Sequence, residues 1–391
     1  MSTLKVDNIR HNSATSDAIT MASDGTCTAR ITGMTGGGGL SHRNIIINGS
    51  MKVAQRSTSK AITGYGYHTV DRFHTVANSS MTYAVTMSQE NDNPDGNGKS
   101  VKLLTTTAKT PSGSENYILR YIGEEQDISG AGLGTSSCKQ LTISFSVKTN
   151  KTGTHGFQIY LYGNTPNMTV AYTVSSANTW ERKTITLPTY TTSYTHGPDN
   201  AQGFMIDWNL SSGPDDIMAP FNWSTGSGAA RGVTGQVNML DTVGNYFQLT
   251  NVQLEIGDTA TSFEHRSIAD ELRRCERYFQ CMKGYNLTTT GDNEALYGIA
   301  FAYTSSRTLW SFQFKTEMRT NPTVAMNDLS KLQGLGVSGG WNAASSFVNT
   351  IKFSKFGGRV DLNWSGTPFT AGHAVEMRIT ESGLLSFSAE L

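Results

Sequence analysis

The chain is short of charge. Asp, Glu, Lys and Arg make up 16% of its 391 residues, 31 basic against 31 acidic, so the formal net charge is zero. No global field draws it to nucleic acid or to an anionic membrane surface. It is also short of greasy runs. No stretch of ~18 apolar residues occurs, which excludes a membrane-spanning helix, and the opening MSTLKVDNIR lacks the apolar core of a signal peptide. Cysteine is scarce: Cys27, Cys138, Cys275 and Cys281 form no CxxC pair, and the Cys275/Cys281 spacing is not that of a zinc site. They are expected to be free, mostly buried thiols made in a reducing cytosol. No GxSxG, HExxH, P-loop or dinucleotide fingerprint occurs.

What the chain does have is glycine, 40 residues of it, with abundant Thr, Ser and Asn. That composition suits strands and turns rather than helical bundles. Residues 1–35 hold short alternating runs. In TCTARIT, Cys27, Ala29 and Ile31 share one side, and Asp24-Gly25 before it is a turn signal. So short a segment with small apolar residues cannot offset its own chain entropy. It is expected to fold with copies of itself, three wound about one axis. GGGG at 36–39 then reads as a hinge.

Residues 40–263 read as one β-sandwich of jelly-roll type, with strands such as YILRYI, QLTISFSVKT, GFQIYLYG and GFMIDWNL. Two long loops, 188–203 and 211–236, stand out, because loops of that length are uncommon unless functional. Residues 264–282 form a connecting helix. Ser267 and Asp270 make an S-x-x-D cap, and Ile268, Leu272, Cys275 and Phe279 recur at helical spacing. Residues 283–391 return to the β pattern as a second, smaller sandwich. The fold class is therefore all-β: an N-terminal trimeric β-segment (1–39), a jelly-roll-like β-sandwich, a short connecting helix and a smaller β-sandwich.

Particular residues carry a likeness. NIIINGSMKVAQRST (44–58) followed by YHTVDRF (67–73) resembles the start of a carbohydrate-binding-module-like domain widespread in bacteriophage tail fibre and minor tail proteins. QLEIGDTATSFEHRS and ELRRCERYF resemble the family's closing stretch, helix and C-RY signature. FKTEMRTNPT (314–323) and FSAEL (387–391) resemble its C-terminal phage fibre β domain, and LKVDNI with ITMASDGT resembles fibre segments that dock to the particle. The resemblance implies a virion fibre or adhesin, usually homotrimeric, located in the virion, in its tail, and assembled in the host cytoplasm. Residues 1–35 would bind other virion structural proteins, and the sandwiches would bind a host cell-surface glycan. Nucleic acid and membrane insertion are not expected.

Sugar recognition wants flat aromatic faces and planar polar groups. DWNLSSGPDDIMAPFNW (207–223) supplies Trp208, Trp223, Asp215, Asp216 and Asn222, and Trp341 sits in a Gly/Ser run of the second sandwich. These six are the candidate carbohydrate-binding residues. Each also has a plainer reading: Trp208 as core, Trp223 as a cap on the sandwich, the acids as solvated loop residues, Trp341 as packing at a subunit boundary. No catalytic residue and no cofactor is expected. Glu255, Asn44 and Asn48 are the oxygen donors for a calcium ion if one is held, though no EF-hand-like run accompanies them. Asp71-Arg72 reads as a structural pair pinning a strand to the opening segment, with a sugar contact as the alternative. His68 and His74 read as surface or half-buried. The alternatives to an adhesin are a purely structural spacer of the particle, and a glycan depolymerase using spaced acids such as Asp207 with Asp215. If the opening segment assembles as read, sedimentation of the full chain gives about three times 42.4 kDa, and a clean monomer refutes the assignment.

Overall fold

The structure is a computed structural model that describes residues 6–391 except 14, 24–26, 30–41, 63, 78–83, 97, 164, 193, 195–196, 198, 226–230, 285–293 and 349–351. The GGGG hinge and Ile31 lie outside the described residues. Nearly all the regular structure is β, as the composition requires. The opening segment forms a small antiparallel sheet of Asn8–Ile9, Ile19–Met21 and Cys27–Ala29, with Ile9 and Met21 exposed. Among the described residues of this segment none is buried.

The large body is two antiparallel sheets face to face. One sheet runs in the order Glu181–Leu187, Leu141–Thr149, Tyr246–Ile256, Ser100–Thr107, Ala84–Glu90, Ser59–Ile62. The facing sheet has seven strands: β1 Gly66–Tyr67, β2 Phe73–Ala77, β3 Asn116–Glu124, β4 Gly153–Leu161, β5 Pro166–Val174, β6 Gln202–Ser212 and β7 Phe221–Thr225. Their spatial order is β7-β5-β4-β6-β3-β2-β1. Strand period 2 sorts the side chains. In β6, Phe204, Ile206, Trp208 and Leu210 point into the core, and Met205, Asp207 and Asn209 point away from it. Trp208 is fully enclosed, with ring centroids of Phe145, Phe157 and Phe73 at 5.7, 5.9 and 6.2 Å.

In the second sandwich a seven-stranded sheet curls until Arg307–Gln313 pairs with Gly357–Trp364, so its larger layer closes on itself. A three-stranded sheet of Phe279–Lys283, Leu384–Ser388 and Thr323–Met326 packs beside it. The core between them includes Trp310, Trp364, Met377 and Phe387.

The connecting helix spans Ile268–Glu276, capped by Ser267 Oγ, which accepts from the Asp270 amide at 3.1 Å. Its expected apolar stripe is shorter than the spacing suggested. Ile268 is 55% exposed, and Phe279 belongs to the following strand. The chain leaves the helix at Arg277 because the last turn is already committed to packing. Cys275 and Tyr278 are buried with Ile47 and Val53, and Leu272 and Leu391 pack against them. Cys138, Cys275 and Cys281 are free thiols.

Around this small cluster lies the joint between the sandwiches. Arg72 is fully buried; its guanidinium stacks on the Tyr278 ring at 3.4 Å, pairs with Glu390 and donates to the Ile122 carbonyl at 2.5 Å. Arg56 reaches Glu390 at 3.1 Å and Asp71 at 3.5 Å. Arg277 grips Glu124 with two hydrogen bonds of 2.8 and 2.9 Å. Arg319 donates to the carbonyls of Asn200, Ala389 and Glu390 at 2.8, 2.8 and 3.0 Å. The structural role expected of Asp71-Arg72 is taken up by Asp71, which accepts from the Gln55 amide and side chain and pairs with Arg56 of the opening NGSMKVAQR segment, whereas Arg72 looks to the other end of the chain.

Removing one member of a buried ion pair strands the other without solvent. Glu390→Ala is expected to lower stability by about 3–5 kcal/mol, read as a lower urea midpoint. The double replacement Arg72→Met with Glu390→Met should recover most of that loss. Equal loss in the single and double variants would show that the pair is not what holds the joint.

Candidate functional site

The outward residues of the seven-stranded sheet make one row across it. Register aligns Tyr67 with His74, His74 with Arg120, Arg120 with Asp207, Asp207 with Gln158, and Gln158 with Thr169. Five strand pairings thus bring together six residues separated by up to 140 positions in the chain. The centre is an ion pair. Arg120 Nε and Nη2 donate to the two Asp207 carboxylate oxygens at 2.6 and 2.7 Å, a forked geometry only Arg supplies. Asp207 is fully buried, and the Arg231 Nε lies 3.9 Å from its second oxygen. Gln158 Nε2 donates to Thr169 Oγ1 at 2.8 Å. Alongside, Gln236 Nε2 donates to Asn209 Oδ1 at 2.5 Å.

Tyrosines border this polar row. Tyr160 and Tyr162, at the end of β4, are half-buried and meet edge to face at 5.2 Å. Tyr65 is 64% exposed and sits edge-on to His74 at 5.4 Å, while Tyr67 lies 4.6 Å from the same ring. The joint closes the row at the Tyr67 end, where the Tyr67 hydroxyl donates to the Leu391 carbonyl at 3.4 Å. Burial pushes the Tyr162 hydroxyl above its usual range, so it stays protonated as a donor. The arrangement offers ring faces for sugar C–H groups and fixed planar donors and acceptors for hydroxyls.

The residues singled out in the sequence are dispersed. Trp208 faces the core, opposite in direction to its neighbour Asp207. Trp223 lies on the edge strand β7, its Nε1 donating to the Pro188 carbonyl at 2.7 Å and its ring 5.6 Å from Tyr190. Asn222 is exposed and accepts from the Trp223 amide at 2.8 Å. Asp215 is exposed. Asp216 is buried, accepting from Ser212 Oγ at 2.9 Å and the Arg231 amide at 3.2 Å, and burial raises its pKa. Trp341 opens the strand Trp341–Phe347, with the Arg378 guanidinium 3.8 Å above its ring. Asp207 is not a free acid to pair with Asp215, because Arg120 holds both its oxygens.

The calcium donors are turned to other uses. The Asn44 carboxamide bridges Val252, Ile46 and Leu254. Asn48 accepts from the Val53 amide and donates to the carbonyls of Val53 and Asp71, and Glu255 accepts from Thr261. Among the described residues no group of three or more His, Cys, Asp or Glu is placed to hold a metal ion. The second sandwich has an open cleft of about 850 Å³ whose walls mix the apolar Leu296, Ile299, Val337 and Phe369 with the polar Thr370, His373 and Glu376.

Sequence reasoning missed Arg120, Gln158, Tyr160, Tyr162 and Tyr65. The signal was present in GFQIYLY and YILRY, where polar or Tyr side chains alternate with apolar ones, but the shared row exists only once the register is set.

Comparison with known proteins leaves the site to its geometry. No family model matches the chain, and no curated protein matches it. Among solved structures, the enzymatically active domain of bacteriophage CBA120 tailspike protein 4 aligns at 15% identity and TM-score 0.31, over 55% of this chain and 21% of that one. This chain therefore spans about a fifth of that protein's length. A family 11 carbohydrate-binding module from Clostridium thermocellum, in complex with a mixed-linked tetrasaccharide, aligns at 15% identity and TM-score 0.26, over 51% of this chain and 96% of that one. The xylan-binding domain from Paenibacillus barcinonensis aligns at 8% and 0.26, over 56% and 96%. Likenesses this low assign neither ligand nor activity, and the fold rests on its own strand pairing.

His74 corrects an expectation. It is wholly buried, and both its ring nitrogens lack a hydrogen-bond partner among the described residues. Burial, with the Arg120 and Arg72 charges, pushes its pKa down to about 3. The unfolded chain therefore takes up a proton near pH 6.5 that the folded protein refuses, so stability falls as pH drops from about 6.5 toward 3. His74→Gln should flatten that part of the pH–stability curve measured by urea unfolding. An unchanged slope would show that His74 is protonated without penalty in the folded protein.

Proposed function

We propose that this chain is a virion fibre protein that attaches a particle to a host cell-surface glycan, and that the outer face of the seven-stranded sheet is where the sugar sits. One observation carries the reading: a fixed Arg120–Asp207 pair and Gln158 in a single row, bordered by Tyr65, Tyr160 and Tyr162. The row crosses five strand pairings, a length that suits an extended chain rather than a small ligand. No catalytic step belongs to this reading, because the best-placed carboxylate is neutralised by its arginine. The virion placement, in the tail, is supported by the resemblance of residues 44–73, 253–279, 314–323 and 387–391 to phage fibre sequences.

Self-association, as a homotrimer, belongs to the same proposal. Leu296, Ile299, Phe301 and Tyr303 stand 58, 67, 49 and 57% exposed on the one strand Glu294–Thr304. Scattered exposed apolar residues need no explanation, but four on one strand make a patch of the kind that marks an interface. The rival reading, a structural spacer, draws on the joint, where the resemblance motifs congregate. It leaves the tyrosine-bordered row without a purpose.

A glycan array probed with the purified full chain should show saturable binding. Replacing Tyr65, Tyr160 and Tyr162 together by Ala should abolish it, since each stacked ring contributes about 0.5–1.5 kcal/mol, with the far-ultraviolet circular dichroism unchanged. Binding that survives the triple replacement would move the site elsewhere, and no binding to any glycan would leave the spacer reading.

A further inference from the structure

The second sandwich carries a cleft on one part of its closed layer and an exposed ring on another. The cleft is walled by the strands Glu294–Thr304 and Ala374–Thr380 and by the turn after Leu332–Leu335. Leu296, Ile299 and Val337 give it an apolar wall that is 58, 67 and 68% exposed. Glu376, opposite Ile299 in the strand register, is the one carboxylate in the lining, and no Lys or Arg lines it. It makes no ion pair among the described residues. Arg378, two residues on, is occupied elsewhere. Its Nε and Nη2 donate to Gln333 Oε1 at 2.9 and 2.7 Å, and its guanidinium lies 3.8 Å from the centre of the Trp341 ring.

The exposed ring is Phe356, at the turn between Lys352–Ser354 and Gly357–Trp364 and 65% exposed. Turns favour Gly, Asn, Asp and Ser, so a large aromatic there needs a reason. The tip is also held in place. The Phe356 carbonyl accepts from the Phe314 amide at 2.9 Å, and the Lys355 carbonyl accepts from the Met318 amide at 2.9 Å. Lysines flank the ring. Lys355 Nζ is 3.8 Å from Glu317, and Lys352 is exposed and makes no ion pair among the described residues. An anchored aromatic tip with a free positive charge thus stands on the same sandwich as an apolar cleft with a free negative one. The strand Gly357–Trp364 pairs with Arg307–Gln313, Trp341–Phe347 and Lys352–Ser354, and with neither strand that walls the cleft. A chain whose tip is pinned to Phe314 and Met318 does not reach its own cleft.

We propose that the cleft of one copy receives the Phe356 hairpin tip of a second copy, with the ring against Leu296, Ile299 and Val337 and Lys352 facing Glu376. This rests on the self-association reading of the strand Glu294–Thr304 and names the two surfaces that meet. Tip and cleft are different patches, so the contact is heterologous; it closes into a ring or runs on as a filament. In a closed ring of three, each copy gives one tip and fills one cleft. Burial of the exposed ring and aliphatic side chains supplies the driving force. The Lys352–Glu376 pairing sets orientation more than affinity. Because the tip is already fixed by two backbone hydrogen bonds, little order is lost on docking.

The test uses the full chain carrying Cys27→Ser, Cys138→Ser and Cys281→Ser, in two versions, one with Phe356→Cys and one with Val337→Cys. Each is oxidised alone and after mixing under conditions of subunit exchange. Disulfide-linked pairs that form in the mixture and not in either version alone support the proposal. Linkage of Val337→Cys to itself, with none in the mixture, overturns it and leaves self-association standing through the cleft faces. Separately, sedimentation of Phe356→Ser should show association weakened about tenfold or more with the circular dichroism unchanged, and full association in that variant overturns the proposal. Glu376→Lys should weaken association and its combination with Lys352→Glu should restore it; a combination weaker than the single variant overturns the docking. Open filaments with the mixed linkage support the contact and overturn the closed trimer. A wild-type chain that stays monomeric at every concentration overturns both readings together.

Discussion

A single buried guanidinium sets the terms for this structure. Arg72 is sealed from water between the rings of Tyr121 and Tyr278, and it is neutralised by Glu390, 318 residues further along the chain. A charge so placed has no tolerable unpaired state. The closed first sandwich therefore depends on the end of the second sandwich being seated against Arg72. The backbone reflects the same demand. Arg72 holds φ of 71°, a left-handed conformation unusual for a residue with a side chain, and that twist turns it inward to the joint.

The consequences run out along one strand. β3 carries Tyr117, Leu119 and Tyr121 into the core, and Arg120 onto the open face. Its last residue, Glu124, lies in the joint. Burial raises the Glu124 carboxyl, but the hydrogen bonds from Arg277 and Tyr278 outweigh burial and hold it below the ordinary range. That contribution is present above the unfolded carboxyl pKa and fades as pH falls through the lower folded value. The tightness of the joint and the position of Arg120 are therefore properties of the same nine-residue strand. The far edge shows the same coupling, since Leu391 meets Tyr67, the first member of the row. The second sandwich forms one wall of the face.

Much of the fold was legible because it follows from short-range rules. Alternation in QLTISFSVKT and GFQIYLYG marks strands whatever they pair with, and Ser267 caps a helix with the Asp270 amide as its spacing requires. The resemblance motifs were read as structural, and Asp71, Arg72, Glu264, Arg266, Arg277, Tyr278, Arg319 and Glu390 do take structural roles at or beside the joint. The candidate site was not legible for the converse reason. Residues 207–223 look like one aromatic loop, yet Asp207 and Trp208 face opposite sides of a sheet, and the rest extends away along its edge. The row from Tyr67 to Thr169 depends on five registers, and none of those is encoded locally.

The polarity of that row argues against its being mere surface. An outward strand face exposed to water needs no fixed geometry, and long polar side chains there normally stay mobile. Here Asp207, Gln158, Thr169 and His74 are all buried though they point away from the core. Sheltering polar groups has a cost unless each is paired, and His74 shows that cost undischarged. A sheet meant only to be a spacer would be more stable with apolar or freely solvated residues at these positions. The protein instead keeps an ordered polar stripe flanked by aromatic rings. Such an arrangement fits the polar, flat-faced partner proposed for this face.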